Sequence, residues 1–231
     1  MTSFLLNKDS IEVRFNIPEP TIKTSGTIVG ADQGINHVIT LSDSQQSQAD
    51  IHGHTLNSII EKIITRKNGS KAREKAKEHQ KNYINYSINK LNLTNIKQVN
   101  LEKISNFRYK NNCGKFLNQF NATLIKSKVI DYCISHGVHV VEQSSPHRSQ
   151  RCFKCGYVNE DNRNGEQFTC LSCSYKEQSD INAAKNHEIV LPDSMFLLKC
   201  PNKPKEFYWK PEGFYYMDNT EFTVPSRNKS I

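Results

Sequence analysis

The chain has 231 residues, a formal net charge of +8 and 36% hydrophobic residues, enough for one good-sized domain or two small ones. No apolar run approaches the roughly 18 residues that a membrane span needs, and the short apolar start lacks a basic lead. The composition therefore excludes a transmembrane protein, argues against a secretory signal, and predicts a cytoplasmic chain with no membrane partner.

The positive charge is concentrated in one segment. Residues 62–110 contain 13 Lys and Arg against 3 Glu, whereas the remainder carries 18 basic and 20 acidic side chains. A basic segment on a nearly neutral protein is typical of contact with a phosphate backbone, although a solvated helix face has the same composition.

The first half predicts strands followed by helices. Residues 11–17 alternate apolar and polar side chains, which predicts a strand with one buried face. Residues 27–32 predict a buried strand, 37–42 its hairpin partner, and 43–50 a loop or weak edge strand. Helices are expected from about Thr55 to Asn68-Gly69 and over 70–90. One face of the second helix should be buried, formed by Ala72, Ala76, Tyr83, Ser87 and Leu91. Basic side chains lie mostly beside that face and are candidate phosphate contacts: Lys71, Arg73, Lys75, Lys77 and Lys81.

The second half returns to alternating elements. A strand is expected over 96–102, a helix over 116–134, a strand over 138–142 and a helix over 180–189. This order predicts a mixed α/β sheet with helices, and it is the order of the ribonuclease H-like fold.

Four of the seven cysteines form two Cys-x-x-Cys pairs, Cys152/Cys155 and Cys170/Cys173, separated by 14 residues. Each pair places two thiolates on one side of a tight turn, and two such turns supply the four soft ligands of a tetrahedral Zn²⁺. A redox dithiol or an iron–sulfur site would use the same residues. The spacing favours a structural zinc ribbon whose folding energy comes from the metal.

Three carboxylates stand at the ends of predicted elements. Asp32 and Glu102 each end a strand, and Asp180 opens a helix. Taken singly, they are explained as a turn aspartate, a surface glutamate and a helix cap. Brought together, they would form an oxygen-ligand site for paired Mg²⁺ or Mn²⁺ ions.

These residues carry a resemblance to a known family. The segment Ile28-Val-Gly-Ala-Asp-Gln-Gly-Ile35 with Thr40 resembles the first RuvC motif of transposon-encoded TnpB (OrfB) proteins, and Val99 to Arg108 resembles the second. The segment Ser145 to Tyr157 is similar to the approach to the family's zinc ribbon, and Ser179-Asp-Ile-Asn-Ala-Ala-Lys-Asn186 matches the third motif. The nuclease half of type V CRISPR effectors is similar as well.

The resemblance implies an endonuclease of the TnpB type with a RuvC-like site that cuts DNA with Mg²⁺. Asp32, Glu102 and Asp180 would be the catalytic metal ligands, and Cys152, Cys155, Cys170 and Cys173 would hold structural zinc. Ser149 and Gln150 match positions before the first cysteine pair and are candidate substrate contacts, and Arg108 is a further candidate nucleic-acid contact. DNA is the expected partner, in a prokaryotic cytoplasm or in the host cytoplasm for a phage-encoded chain.

Two features depart from the family pattern. Family members carry an N-terminal half that holds guide RNA, whereas about 30 residues precede the first motif here, so RNA guidance stays an open expectation. Residues 192–231 hold 8 of the 21 aromatic residues, which either stack on unpaired bases or pack against the protein.

The predicted division has five parts: an N-terminal strand and linker (1–26), a RuvC-like core (27–144) with the basic helical segment 55–92, a zinc ribbon (145–179), a closing helix (180–191) and an aromatic extension (192–231). A metal-dependent nuclease is the expected function. A non-catalytic zinc-ribbon nucleic-acid-binding protein derived from a transposon and an inactive remnant are the alternatives.

Overall fold

The computed structural model describes residues 3–14, 20–103, 114–198 and 204–222. The principal strands are β1 (Ser3–Asn7), β2 (Ser10–Arg14), β3 (Thr27–Asp32), β4 (Thr40–Leu41), β5 (Ile96–Glu102) and β6 (His139–Gln143). Short strands follow at β7 (Tyr157–Val158), β8 (Arg163–Asn164), β9 (Gln167–Thr169), β10 (Lys176–Gln178), β11 (Phe207–Lys210) and β12 (Gly213–Tyr215). The described α-helices are α1 (Leu56–Thr65), α2 (Lys71–Asn89), α3 (Ala122–Ser135) and α4 (Ser179–Glu188).

A four-stranded mixed sheet in the order β4-β3-β5-β6 forms the centre of the fold. Strand β4 runs antiparallel to β3, whereas β3, β5 and β6 are parallel neighbours joined through helices. This arrangement confirms the α/β fold class that the element order predicts.

The two faces of the sheet carry different helices. Val29 and Ala31 of β3, with Val99 and Leu101 of β5, belong to a buried cluster that they share with α1, α2 and α3. Because side chains alternate along a strand, Gly30 lies on the opposite face. Helix α4 packs there so closely that a Cβ on Gly30 would lie 1.9 Å from the Ala184 carbonyl oxygen.

Helix α1 begins and buries its face as its sequence predicts. Thr55 caps it, since its hydroxyl accepts the Ser58 amide at 3.3 Å and the Ser58 hydroxyl accepts the Thr55 amide at 3.0 Å. The fully buried residues are Leu56, Ile59, Ile60 and Ile63.

The buried stripe of α2 differs from the predicted one. Ala72 is exposed, and the buried residues are Gln80, Tyr83, Ile84, Ser87 and Ile88. In the first turn Arg73, and not Ala72, lies against α1, where its guanidinium donates to the Ile63 and Arg66 carbonyls at the end of that helix.

The third predicted helix begins later than expected. Residues 117–119 form a 3₁₀ turn, and extended backbone at Phe120 separates it from α3. That break buries the Phe120 ring and leaves the Gln119 carbonyl to accept the Gln80 side-chain amide at 2.8 Å.

The N-terminal strand corrects an expectation. Strands β1 and β2 pair as an antiparallel hairpin, but the large side chains on it are exposed, so the predicted buried face is absent among its described residues. Residues 15–17 of the predicted strand lie outside the described part of the chain. Among the described residues, no helix is both long and apolar enough to cross a membrane.

The close contact between α4 and β3 gives a stability prediction. Gly30→Ala should lower the melting temperature, because a backbone oxygen of Ala184 cannot move aside without displacing the helix. Overpacking costs about 1–3 kcal/mol of stability. In a chain of this size, each kcal/mol lost lowers the melting temperature by roughly 2–4 °C. Gly114→Ala is the control, since its Cβ would meet nothing within 4 Å. Equal melting temperatures for the two variants in a calorimetric scan would contradict the packing.

Candidate active site and cysteine cluster

Asp32 and Glu102 end neighbouring parallel strands. The register pairs Ala31 with Leu101, so the two carboxylates follow side by side at the carboxyl end of the sheet. Residues two positions apart in a strand lie on the same face, so Asp32 shares the face of Gly30 and Glu102 shares the face of Asn100. That face is covered by α4, because the Asn100 side-chain amide donates to the His187 carbonyl of α4 at 2.8 Å. The sheet therefore presents both carboxylates on the side covered by α4.

Asp180 lies in the first turn of α4 and is buried. The interpretation of this residue as the helix cap is wrong, because Gln178 is the cap: its side-chain oxygen accepts the Ile181 amide at 2.8 Å. Asp180 is thus free of a capping role and instead accepts from Arg163 Nη2 at 2.9 Å.

The three carboxylates line one cavity of about 1010 Å³. Its wall includes residues from the sheet ends, from the segment before the first cysteine pair and from β8; among them are Gln33, Ser145, Arg148, Ser149, Arg163 and His187. The structure therefore brings Asp32, Glu102 and Asp180 to a common site, as the sequence predicts.

Burial and mutual repulsion oppose full ionisation of this site. Burial first, and then the charges of Glu102 and Asp180, raise the pKa of Asp32 well above its ordinary value, with Arg163 acting in the opposite direction. Burial also raises the pKa of Glu102, against the effects of a hydrogen bond from Ser145 and the charge of Arg148. A site with this balance is stabilised by any cation that enters it.

The donor set suits oxygen-binding cations. Carboxylates are the protein ligands that Mg²⁺ and Mn²⁺ prefer. The buried side-chain amide of Gln33 also lines the cavity, and its nitrogen and oxygen have no hydrogen-bond partner among the described residues. Such an amide is expected to bind a ligand or water.

The carboxylates share a cavity without forming a compact ligand cluster. Among the described residues, two other groups bring three or more ligand atoms within 4.8 Å of one another: the four cysteines, and Asp50 with His54 and His79. The ligand atoms of Asp32, Glu102 and Asp180 do not all meet that distance in this structure.

The predicted nucleic-acid contacts divide into several groups. Ser149 lines the cavity, whereas Gln150 faces His147, whose Nδ1 lies 2.7 Å from its side-chain oxygen. Arg73 contacts α1 as described above. Four side chains on α2 are exposed and lie outside the cavity lining: Lys71, Lys75, Lys77 and Lys81. Arg108 lies outside the described residues.

Sequence reasoning missed the basic residues and the histidine of the cavity. Arg163 comes from the ribbon segment and carries no motif, so its pairing with Asp180 depends on the packing of β8 against α4. Arg148 is buried, its guanidinium donates to the Ser144, Asn186 and Ile189 carbonyls, and burial lowers its pKa to about 10. Burial, and then the charge of Arg148, lowers the pKa of His187 to about 3, so this residue is neutral at physiological pH.

The four paired cysteines form one cluster, with all four sulfurs within 4.8 Å of one another. The Cys152 and Cys173 sulfurs lie 3.7 Å apart, and those of Cys155 and Cys170 lie 3.6 Å apart. Sulfurs at about 2.3 Å from a tetrahedral Zn²⁺ are separated by roughly 3.8 Å. The cluster could therefore hold zinc.

The two cysteine turns share one backbone pattern. The Gly156 amide donates to the Cys152 carbonyl at 2.9 Å, and the Ser174 amide donates to the Cys170 carbonyl at 2.9 Å. Both Gly156 and Ser174 adopt positive φ, at 82° and 59°. The hydrogen bond with Cys152 lowers the pKa of Cys155, which favours its thiolate, the form that binds a metal ion.

The third motif connects this cluster to the carboxylates. The side-chain amides of Asn182 and Asn186 both donate to the Arg151 carbonyl, at 2.8 and 2.7 Å. The Asn182 oxygen accepts the Phe153 amide at 3.1 Å, and the Arg151 guanidinium contacts the Asn186 oxygen. The helix that carries Asp180 is thus fixed to the residue preceding Cys152.

The aromatic extension packs on the ribbon segment. Strand β11 pairs with β7, and the buried ring of Trp209 stacks on Phe214 at a centroid distance of 5.8 Å. Phe207 is buried in the same cluster. These three rings are therefore engaged in protein packing, the alternative to base stacking that the sequence left open.

Parts of the chain are similar in sequence to known proteins. Residues 124–187, which include most of α3, β6, the cysteine cluster and most of α4, match the family model described as Cas12f1-like, TNB domain. The chain is 30% identical over 96 residues to the CRISPR-associated endodeoxyribonuclease Cas12f1 of Sulfoacidibacillus thermotolerans, covering 41% of this chain and 22% of that protein. It is 31% identical over 117 residues to the protein of the same name from Syntrophomonas palmitatica, covering 38% of this chain and 24% of that protein.

Among solved structures, the chain is similar to one in the cryo-electron microscopy structure of the Cas12f1–sgRNA–target DNA complex, with 20% identity and a TM-score of 0.49. That match covers 77% of this chain and 52% of the other. A second similarity is to CasPhi-2 (Cas12j) bound to crRNA and phosphorothioate-DNA, with 22% identity, a TM-score of 0.39, and coverage of 52% of this chain and 19% of the other.

The sequence matches confirm the resemblance drawn from the motifs, because over part of its length the chain is similar to Cas12f1, a type V effector. The matched regions span about a quarter or less of the length of the curated relatives.

The cysteine cluster gives a metal-binding prediction. Cys152→Ser/Cys155→Ser should lose the thiolate-to-cobalt charge-transfer band of the cobalt-substituted protein, and its melting temperature should fall because the ribbon cannot form a core alone. Cys133→Ala is the control, since Cys133 is buried in α3 away from the cluster. An unchanged cobalt spectrum in the double variant would contradict the assignment.

The carboxylate electrostatics give a pH-dependent prediction. The pKa of Asp32 is higher in the folded chain than in the unfolded chain, where it is about 3.9. The folded state is therefore destabilised as pH rises from that unfolded pKa through the raised folded pKa. At neutral pH without Mg²⁺, Asp32→Asn should therefore raise the melting temperature, by roughly 2–4 °C per kcal/mol relieved. Added Mg²⁺ should stabilise the wild type and leave the variant unchanged.

The matched control for that measurement is Asp131→Asn, because Asp131 is exposed on α3. A fall in melting temperature for Asp32→Asn, with no change for the control, would show that the charged form stabilises the fold.

Proposed function

We propose that the chain is a metal-dependent DNA endonuclease that hydrolyses phosphodiester bonds at a RuvC-like site. The observation that carries the proposal is the meeting of Asp32, Glu102 and Asp180, from two parallel strand ends and a helix start, in one cavity. The curated relatives are endodeoxyribonucleases by name, which supports DNA as the substrate.

Asp32, Glu102 and Asp180 are the residues that would hold the catalytic cations. Bound there, paired Mg²⁺ or Mn²⁺ ions would lower the pKa of the attacking water and stabilise the leaving 3′-oxygen. The raised pKa of Asp32 and the unpartnered amide of Gln33 support this assignment, since both are relieved by a bound cation and its ligands.

Among the described residues that line the cavity, Arg163 is placed to contact the scissile phosphate. Its guanidinium holds Asp180 at 2.9 Å and is about one-third exposed at the cavity wall. A guanidinium can donate in parallel to two phosphate oxygens. With Asp180 engaged as a cation ligand, Arg163 would be available to orient the phosphodiester, and Ser149 would offer a hydroxyl on the same wall.

The exposed lysines of α2 supply the backbone contacts in this proposal. Lys71, Lys75, Lys77 and Lys81 raise the positive potential of one helix, and such contacts weaken with salt. In this proposal, guide RNA is a second partner. Binding it would need protein outside the region that matches the curated relatives, because that region spans about a quarter or less of their length.

The proposal predicts that Asp32→Asn, Glu102→Gln and Asp180→Asn each reduce cleavage by at least roughly 10²–10³-fold, the loss typical of removing one electrostatic group from a reacting site. Cleavage of labelled single- and double-stranded DNA in Mg²⁺ or Mn²⁺ measures the effect. Glu160→Gln is the control, an exposed carboxylate on the ribbon that lies outside the cavity lining.

Circular dichroism and DNA binding of each variant separate a catalytic loss from a folding loss. Substantial cutting by any of the three cavity variants would contradict the site. Loss of cutting after RNase treatment of the wild-type preparation would show that RNA is used. Binding that persists without Mg²⁺, together with an absence of products in every condition, would favour the non-catalytic zinc-ribbon binding protein.

A further inference from the structure

A third group of ligand side chains lies apart from both the carboxylate cavity and the cysteine cluster. Asp50 and His54 come from the loop before α1, and His79 comes from the middle of α2. Their ligand atoms all lie within 4.8 Å of one another. The three residues lie outside the lining of the carboxylate cavity.

The distances in this group match those around a bound ion. His54 Nδ1 lies 3.2 Å from Asp50 Oδ2, and His79 Nε2 lies 3.4 Å from the same oxygen. Ligand atoms at about 2.0–2.2 Å from a four-coordinate ion are separated by roughly 3.3–3.6 Å. The two imidazole nitrogens lie within 4.8 Å of each other, so a small adjustment of the side chains would let one ion contact all three atoms.

The loop fixes the carboxylate that would bind the ion. Asp50 Oδ1 accepts the backbone amides of His52 and His54 at 2.9 and 2.8 Å, which leaves Oδ2 for the two imidazoles. Asp50 is thus an oriented carboxylate ligand, held by backbone hydrogen bonds of the kind that orient ligands in metal sites.

We propose that Asp50, His54 and His79 form a binding site for a Zn²⁺-class transition-metal ion that links the loop before α1 to helix α2. Two imidazoles with one carboxylate suit Zn²⁺, Co²⁺ or Ni²⁺, whereas Mg²⁺ prefers oxygen ligands alone. The side chains of Asp50, His54 and His79 are 14%, 30% and 33% exposed, so water can reach the fourth position.

The site would strengthen a contact that the protein already makes. One turn beyond His79, the Tyr83 hydroxyl donates to the Gln48 carbonyl at 2.9 Å, so the loop already rests on α2. An ion at Asp50, His54 and His79 would fix the same loop four residues nearer the lysine-rich end of α2. This inference is independent of the proposed nuclease activity.

The test counts metal ions in the full chain, dialysed against Zn²⁺ in excess Mg²⁺ so that the carboxylate cavity does not compete. Wild type should bind two Zn²⁺ per chain, one at the cysteines and one here, whereas His79→Gln and His54→Gln should each bind one. His136→Gln is the control, because His136 lies at the end of α3, away from this group, and it should keep two.

Cobalt substitution identifies which ion is lost. His79→Gln should keep the thiolate-to-cobalt charge-transfer band and lose the d–d absorption of a nitrogen- and oxygen-ligated ion. One Zn²⁺ per chain in both wild type and His79→Gln would overturn the proposal. If the histidine variants fail to fold, zinc X-ray absorption of the wild type decides: mixed sulfur and nitrogen scattering supports the second site, and sulfur scattering alone overturns it.

Discussion

The close approach of α4 to β3 is the contact on which the candidate active site depends. Gly30 lets the Ala184 carbonyl lie where any other residue would place its Cβ, and Ala183 and Ala184 are fully or almost fully buried at this interface. The Asn100 amide fastens the end of the same helix to β5. With the helix held there, its first turn places Asp180 at the strand ends that carry Asp32 and Glu102. The three carboxylates repel one another, and the packing of the helix opposes that repulsion.

The ribbon segment is part of the same arrangement. Asn182 and Asn186 bind the backbone beside the first cysteine pair, while Arg163 from β8 binds Asp180. The aromatic strands β11 and β12 are connected to the same arrangement through β11. The Arg151 guanidinium, which binds Asn186, also donates to the Trp209 carbonyl of β11 at 2.7 Å. A metal at the cysteines would therefore stabilise the position of the helix that carries Asp180.

The sequence predicted most of the sheet and the composition of both motif-based sites. Strands β3 and β5 were predictable because each carries apolar side chains at alternate positions, Val29 and Ala31 or Val99 and Leu101, which are buried. The cysteine cluster was predictable because its spacing has few other uses. Contacts between distant segments were not predictable. Arg163 meets Asp180, and His79 meets Asp50, through packing that local patterns do not encode. Strand β2 has the alternation of a half-buried strand, yet Ile11 and Val13 are exposed in the described structure, as are Phe4 and Leu6 of its partner β1. Local alternation specifies a strand and does not specify what covers it.

The central claim is that Asp32, Glu102 and Asp180 share divalent cations on the α4 side of the sheet. Anomalous diffraction from a crystal of the chain grown with Mn²⁺ tests it most directly. The account predicts Mn²⁺ peaks in the cavity, at about 2.0–2.2 Å from oxygens of these three carboxylates, the range of hard octahedral cations. A well-diffracting crystal with the cavity free of Mn²⁺ at saturating concentration, and with Arg163 still bound to Asp180, would contradict it.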